Sequence, residues 1–518
     1  MVEERDGNYI NLYRWKVSIP ILPKIGEMKH ILMTVSILLV LWGIAEAVYG
    51  GLQLYGLADS NHSLYNITGS FRNPGPYAGF LAVVLPVALY LALSCRIRSK
   101  CLRQGTVALC WVYVFLCATL LPATLSRAAW IAACVGCGIV LCARSRLRAR
   151  CILYFRRHRR RAWAWLSAAC LLLALVGMGA YYLKKDSADG RLLMWKITLR
   201  VIADAPYTGV GPDRFAGAYG EAQAAYFASG KGTVQEKHVA GSPEYAFNEF
   251  LGIAAERGFP FLMYCLVLLV LAFRCAGRGR QWGIAGGLAA FLAFSCFSYP
   301  LSVWQHRLLF LALVVLAFGS WSPRGKWRSR GWHALLWTFF ALIVLAGARQ
   351  AREKRQAEER WHEEQTYYQM EIYEGTVDNY RRLYRECPVL RQDPRFLFEY
   401  GQCLSKTGRY GESNGILFEG SRLSSDPMFW NIMGKNYQAM HAVEEAEACF
   451  RKAYDMVPNR LYPLYLLANL YFSTGEVEKG VAVARQLLDQ EPKVMSDAVR
   501  EMKAEMKEKI GRYGQVAP

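Results

Sequence analysis

Hydrophobic residues in this chain are gathered into long runs separated by polar breaks. The runs recur at about 31–50, 77–95, 106–122, 128–143, 163–183, 259–274, 282–300, 305–321 and 333–348. A helix needs about 20 mainly apolar residues to cross the hydrocarbon core of a bilayer, so the pattern predicts a polytopic bundle of about nine transmembrane helices. Two polar stretches interrupt it. One, 184–258, lies between the fifth and sixth runs and is far longer than a helix connection requires. The other is everything after 348, where the pattern changes to that of soluble helices. The expected fold class is all-α: a membrane helix bundle with a large outer loop, followed by a C-terminal α-solenoid. The expected domains are an N-terminal segment (1–30), a transmembrane domain (31–348, with 184–258 as its large loop) and a soluble domain (349–518).

Charge fixes the orientation. The formal net charge of +21 raises the question of a nucleic-acid partner. Its distribution argues against one. Four short connections, CRIRSKCLRQ, ARSRLRARCILYFRRHRRR, RCAGRGRQ and SPRGKWRSRGW, hold twenty Lys and Arg and no acid. With 1–30 in the cytoplasm, alternation puts all four on the inner face and places both 184–258 and 349–518 outside. Merging the runs at 106–122 and 128–143, separated only by PATLSR, would invert this scheme. Residues 1–30 carry no cleavable-signal pattern. The 15 cysteines mostly lie in or beside apolar helices, and none has the spacing of a zinc site.

The tail opens with a charged helix, RQAREKRQAEERWHEEQTYYQ, expected to lead away from the membrane. A repeat follows. Trp430, Met433, Gly434, Tyr437, Ala446, Phe450, Ala453 and Pro458 have tetratricopeptide spacing, and a 34-residue shift brings Leu464, Leu467, Ala468, Tyr471 and Pro492 to equivalent places. Leu397, Tyr400, Gly401 and Pro427 form a weaker copy. Small residues let the two helices of each hairpin approach, and large ones fill the gap. Such arrays commonly bind a protein partner; a purely structural spacer is the other reading.

Chemistry is expected around the outer interval. In SFRNPGPYAGFLAVVLPVAL, Asn73-Pro-Gly-Pro marks a helix start, with Arg72 and Asn73 at the membrane surface. In TLSRAAW, Arg127 is placed at the outer end of a helix, against the charge bias, where an anionic head group would give it a purpose. DGRLLMWKITLRVIADAP reads as an amphipathic helix. Arg191 and Trp195 share a face, and Ile197, Leu199 and Ile202 form an apolar stripe suited to the bilayer surface. GVGPDRF follows, with Gly209 and Gly211 allowing an irregular turn that presents Arg214. The interval holds nine basic and nine acidic residues, so it is not a polybasic lipid patch. EYAFNEFLGIAAERG is expected to be helical throughout, with Tyr245, Asn248, Glu249, Gly252 and Glu256 on one polar face.

The ordered set SFRNPGPYAGFLAVVLP, TLSRAAW, DGRLLMWKITLRVIADAPYTGVGPDRF and YAFNEFLGIAAERGFPFL resembles the O-antigen ligase and polymerase superfamily. The nearest likeness is to Bacteroidetes-type members with a C-terminal tetratricopeptide domain. The resemblance covers roughly 40–320. It implies an inverting, metal-independent glycosyltransferase in the bacterial inner membrane, with its loop and tail periplasmic and no cofactor. The donor would be an undecaprenyl-diphosphate-linked glycan, and the acceptor a hydroxyl on lipid, glycan or protein. Arg127, Arg191 and Arg214 match the arginines that hold the diphosphate in that family. Arg72, Asn73, Tyr245 and Glu256 would line the cleft. The family's His–any–His–Asn motif meets Tyr245-Ala246-Phe247-Asn248 here, so the activating histidine is absent. Asn248 and Glu249 keep the pattern, and His238, Glu244 or Glu249 would have to accept the proton. Family members have about twelve helices, and the chain is expected to begin near the sixth. The competing reading is a catalytically inactive membrane anchor that displays the repeats. A transporter is a third, for which the inner face offers no phosphate-binding loop.

Overall fold

The computed structural model describes residues 9–10, 19–20, 25–95, 97–144, 157–161, 163–164, 167, 185–321 and 326–513. The fifth apolar run, 163–183, therefore lies almost wholly outside the described residues. Apart from a small antiparallel ladder pairing Tyr9–Ile10 with Ile19–Pro20, every described element is helical. In order these are α1 (Ile25–Leu54), α2 (Pro74–Ser94), α3 (Lys100–Ala123), α4 (Arg127–Arg144), α5 (Lys185–Asp204), α6 (Phe215–Ala228), α7 (Val234–Val239), α8 (Glu249–Arg278), α9 (Trp282–Ser295), α10 (Trp304–Gly319) and α11 (Lys326–Gln369). The tail continues with α12 (Tyr373–Glu386), α13 (Pro394–Lys406), α14 (Tyr410–Ser421), α15 (Met428–Ala439), α16 (Val443–Met456), α17 (Tyr462–Thr474), α18 (Val477–Asp489) and α19 (Asp497–Tyr513). Two short 3₁₀ turns lie at Pro300–Ser302 and Pro388–Gln392.

Six described helices are long and apolar enough to cross a membrane, within Ile31–Leu54, Pro74–Ser94, Lys100–Ala123, Arg127–Arg144, Glu249–Arg278 and Leu335–Gln369. Two shorter apolar helices, α9 and α10, accompany them. The PATLSR break separates two distinct helices, α3 and α4. The chain forms two compact units, each built from two pieces: Met1–Trp163 with Tyr264–Gly347, and Ala164–Met263 with Ala348–Pro518.

In the first unit α2 is the central helix. Tyr77, Phe80, Leu81 and Val84 are fully enclosed, and α2 packs against α1, α3, α4 and α9. Glycines set the closest approach. A Cβ on Gly136 of α4 would lie 2.7 Å from the Gly286 carbonyl oxygen of α9, and one on Gly286 would lie 2.7 Å from the Gly136 oxygen. Association of apolar helices in lipid relies on such small-residue contacts. The chain between α1 and α2 is held by two buried polar residues of α1. The Gln53 Oε1 accepts from the Thr68 and Gly69 N–H groups at 2.9 and 2.6 Å. The Glu46 carboxylate accepts from the Ser70 N–H at 3.0 Å and its hydroxyl at 2.6 Å.

In the second unit, helical hairpins α13–α14, α15–α16 and α17–α18 pack in sequence, and α19 lies against α17 and α18. Small residues meet large ones within hairpins: a Cβ on Gly401 would strike the Leu417 side chain at 2.6 Å, and one on Gly434 the Phe450 ring at 2.4 Å. Residues 185–258 pack into this same unit. Ala224 of α6 shares a buried apolar cluster with Met456 and Val457, beside Trp430.

Candidate functional site

The site is built around a break in α8. Gly258 sits at φ 78°, ψ 170°, and Pro260 follows two residues later. Pro260 has no N–H to offer the Glu256 carbonyl, and the Phe259 N–H turns away to the Pro206 oxygen at 2.8 Å. The break thus orphans the carbonyls of Ala255 and Glu256, which must find other donors. The GVG segment supplies them: the Val210 N–H donates to the Ala255 oxygen at 2.9 Å and the Gly211 N–H to the Glu256 oxygen at 3.0 Å. Only glycine fits this approach. A Cβ on Gly209, itself at φ +66°, would sit 2.3 Å from the Glu256 oxygen, and one on Gly258 would sit 2.2 Å from the Tyr207 oxygen.

This interlock fixes Arg214. The residue forms the start of α6 and has no side-chain cap of its own. The Glu256 carboxylate accepts instead from the backbone N–H groups of Asp213 and Phe215. Arg214 is exposed at the positive end of the α6 dipole, where helix and guanidinium both favour an anion.

A second cluster lies where α5 meets the chain before α8. The Trp195 Nε1 donates to the Ala246 oxygen at 3.1 Å, and the Arg191 guanidinium lies 5.4 Å from the centre of the Phe247 ring. Arg191 and Trp195 therefore share a face, as their spacing predicts, and that face grips 246–247. The expected helix over 244–258 needs correcting. It begins only at Glu249, because the Asn248 Oδ1 accepts from the N–H groups of Phe250 and Leu251 at 3.0 and 3.2 Å and caps it. Tyr245 and Asn248 thus do not share its polar face; Glu249, Gly252 and Glu256 do. The expected bilayer stripe of α5 is corrected too. Ile197 and Ile202 are buried inside the unit, and only Leu199 is exposed.

Backbone strain marks the same places. Six described residues other than glycine have positive φ: Leu125, Asp213, Phe247, Arg280, Glu371 and His441. Four of these follow helix ends, where left-handed residues routinely terminate a helix. Asp213 and Phe247 terminate none. They stand directly before Arg214 and Asn248. A phenylalanine in this region costs about 1 kcal/mol or more, and such strain concentrates at functional sites.

Beside this cluster runs an ionic one. The Lys196 Nζ lies 2.7 Å from both the Glu236 Oε1 and the Tyr226 hydroxyl, and the Arg200 guanidinium stacks over the Tyr226 ring at 4.5 Å. Burial alone would raise the Glu236 carboxyl, but hydrogen bonds from Lys196, the Thr233 N–H and Tyr226 outweigh it and hold the group down at about 2.

The other sequence candidates are distributed as follows. His238 lies on α7, with its carbonyl bound by the Asn459 side chain at 2.9 Å. Glu244 is exposed and contributes to the field at Arg395. In the first unit, Asn73 caps α2, its Oδ1 accepting from the Gly75 N–H at 3.1 Å; Arg72 beside it is exposed. Arg127 is the first residue of α4, again a cation at a positive helix end. Within the second unit, the structure gathers Arg191, Trp195 and Phe247 at the start of α8, and Arg214, Asp213 and Glu256 at the α6 start. Trp195 as a hydrogen-bond donor, Asp213 and Phe247 were not among the sequence candidates. Their signal was local: an Asp-Arg pair closing a glycine turn, and a phenylalanine ahead of a capping asparagine.

A family model described as O-antigen ligase matches residues 112–266. The match supports placement in the O-antigen ligase/polymerase superfamily. It contains Arg127, Arg191, Arg214, His238 and all of 244–256, and it excludes Arg72 and Asn73. No curated protein gives a significant match to the chain.

Proposed function

We propose that the chain transfers a glycan from undecaprenyl diphosphate to an acceptor hydroxyl at the periplasmic face of the inner membrane, as an O-antigen ligase- or polymerase-like enzyme of surface polysaccharide assembly. One observation carries the reading. The strained residues that end no helix, Asp213 and Phe247, fall inside the family match and directly precede Arg214 and Asn248. A mere anchor has no use for such strain.

In this reading Arg191 and Arg214 hold the diphosphate. The acceptor oxygen attacks the anomeric carbon from the face opposite the phosphate, with inversion. The bond between that carbon and the phosphate oxygen breaks, and its electron pair leaves with undecaprenyl diphosphate. Arginines stabilise that charge as it develops. The hydroxyl proton passes to a carboxylate near the start of α8, Glu249 or Glu244, or to His238. No metal takes part. The tetratricopeptide-like tail engages the acceptor or an assembly protein. A second reading, an inactive scaffold, is favoured by Phe247 standing where family members place a histidine.

Proteoliposomes with an undecaprenyl-diphosphate oligosaccharide and extracted envelope lipid or protein separate the two. Product from wild type and none from Glu249→Gln supports the enzyme. No product from wild type moves the assignment to the scaffold.

A further inference from the structure

The segment 240–248 belongs to no helix or strand, yet five of the seven carbonyls over 237–243 are taken by a side chain of α6 or of the tail. The Asn459 Nδ2, in the turn between α16 and α17, donates to the carbonyls of Lys237, His238 and Ala240 at 3.2, 2.9 and 2.7 Å. The Gln223 Nε2, fully enclosed on α6, donates to the Gly241 oxygen at 2.9 Å and to the Met456 oxygen. The Ser425 hydroxyl donates to the Pro243 oxygen at 2.9 Å. Together these three side chains hold the path of the chain that delivers Glu244–Glu249.

Helix α6 is seated as closely. A Cβ on Gly217 would lie 2.1 Å from the Arg422 carbonyl oxygen, and one on Gly220 would lie 2.7 Å from the Met456 methyl and 3.1 Å from the Ser425 Cα. Lys452 adds an ion pair to Glu221 at 2.7 Å.

We infer that the hairpin tail is a scaffold for the outer interval: it holds 237–249 in position, and Asn459 is the positioning residue. The surface of the tail formed by 422–426 and 452–460 has the chain's own loop as its partner, whatever else the tail binds. Its consequence for transfer rests on the function proposed above; the positioning itself does not.

Hydrogen exchange on the full-length protein in nanodiscs tests this, comparing wild type with Asn459→Ala, Asn459→Asp and Asn459→Gln. Aspartate is close in shape but cannot donate when ionised; glutamine keeps the donor. The expected result is exchange at least tenfold faster over 237–252 in Ala and Asp, substantial recovery in Gln, and unchanged protection in α15 and α17. Unchanged exchange over 237–252 in both Ala and Asp overturns the inference. So does equal loosening in all three variants. A second measurement needs no substitution at the contact. A protease site inserted near 351 is cut in otherwise wild-type protein, and the tail is expected to stay with the membrane-bound piece; its release overturns the scaffold. Both readouts decide the matter even if wild type shows no transfer.

Discussion

The Arg191 guanidinium sits over the Phe247 ring, 5.4 Å from its centre, and four residues along the same helix Trp195 holds the neighbouring Ala246 carbonyl. A cation thus rests on Phe247, one of the two residues, with Tyr245, that stand where the expected motif has a histidine, and the strained φ of 49° at Phe247 is held between them. Such a cation–π contact contributes about 0.5–2 kcal/mol. The guanidinium is therefore pre-placed beside the α8 start before any anion arrives.

This separates packing from chemistry at the site. Phe247→Leu removes the ring and is expected to lower the stability of the second unit by about 1 kcal/mol, with transfer reduced less than tenfold. Arg191→Ala is expected to reduce transfer at least a hundredfold, and Arg191→Lys to fall between, since an ammonium lacks the planar fork that pairs with phosphate. Initial rates at matched membrane insertion give the order. An equal loss from Phe247→Leu and Arg191→Ala would mean that Arg191 acts only by holding the ring.

The interlock at Gly258 makes a stability prediction. Gly209→Ala forces a Cβ against the Glu256 and Arg257 backbone at a positive φ, and should cost roughly 3 kcal/mol or more. Gly241→Ala meets nothing within 4 Å and should stay within about 0.5 kcal/mol of wild type. Thermal unfolding of the two variants checks this; equal midpoints would show that the 209–211 chain does not brace the break.

Asn248 has a structural task that can be isolated from any chemical one. Asn248→Ala removes the cap of α8 and should cost about 1 kcal/mol, with faster amide exchange at Phe250 and Leu251. Asn248→Asp keeps an acceptor oxygen and should restore the protection. Activity lost in Asp despite restored protection would assign the amide nitrogen a role in transfer.

Glu236 gives a pH dependence with a definite sign. Its folded value, about 2, lies below the ordinary 4.5. Its contribution is therefore complete above about pH 4.5 and fades as pH falls toward 2. Glu236→Gln removes that contribution, so the melting temperature of the variant is expected to fall less than that of wild type between about pH 5 and about pH 2.5. Parallel losses in the two proteins would show that Glu236 is not the group being protonated.

Much of the membrane pattern was legible because its signals are local. Apolar runs mark the described spans, glycines at 209 and 211 mark a turn, and Arg191 with Trp195 lie on one face by spacing alone. The start of α8 was misplaced because the amphipathic period of 244–258 continues through Asn248, and the cap that stops it depends on the asparagine side chain turning back onto the backbone. The stripe on α5 was assigned to lipid because periodicity reports that a face is apolar, not what covers it; Ile197 and Ile202 are covered by protein. Least legible was the pairing of 237–243 with Ser425 and Asn459. These residues are about two hundred positions apart, and a side-chain amide meeting backbone carbonyls leaves no pattern at either end.

The most direct measurement is the initial rate of glycan transfer in proteoliposomes with an undecaprenyl-diphosphate donor, comparing wild type, Arg191→Ala and Arg214→Ala at equal insertion. Product from wild type and at least a hundredfold loss in each variant are expected. Transfer at the wild-type rate by both variants would contradict this role for the two arginines.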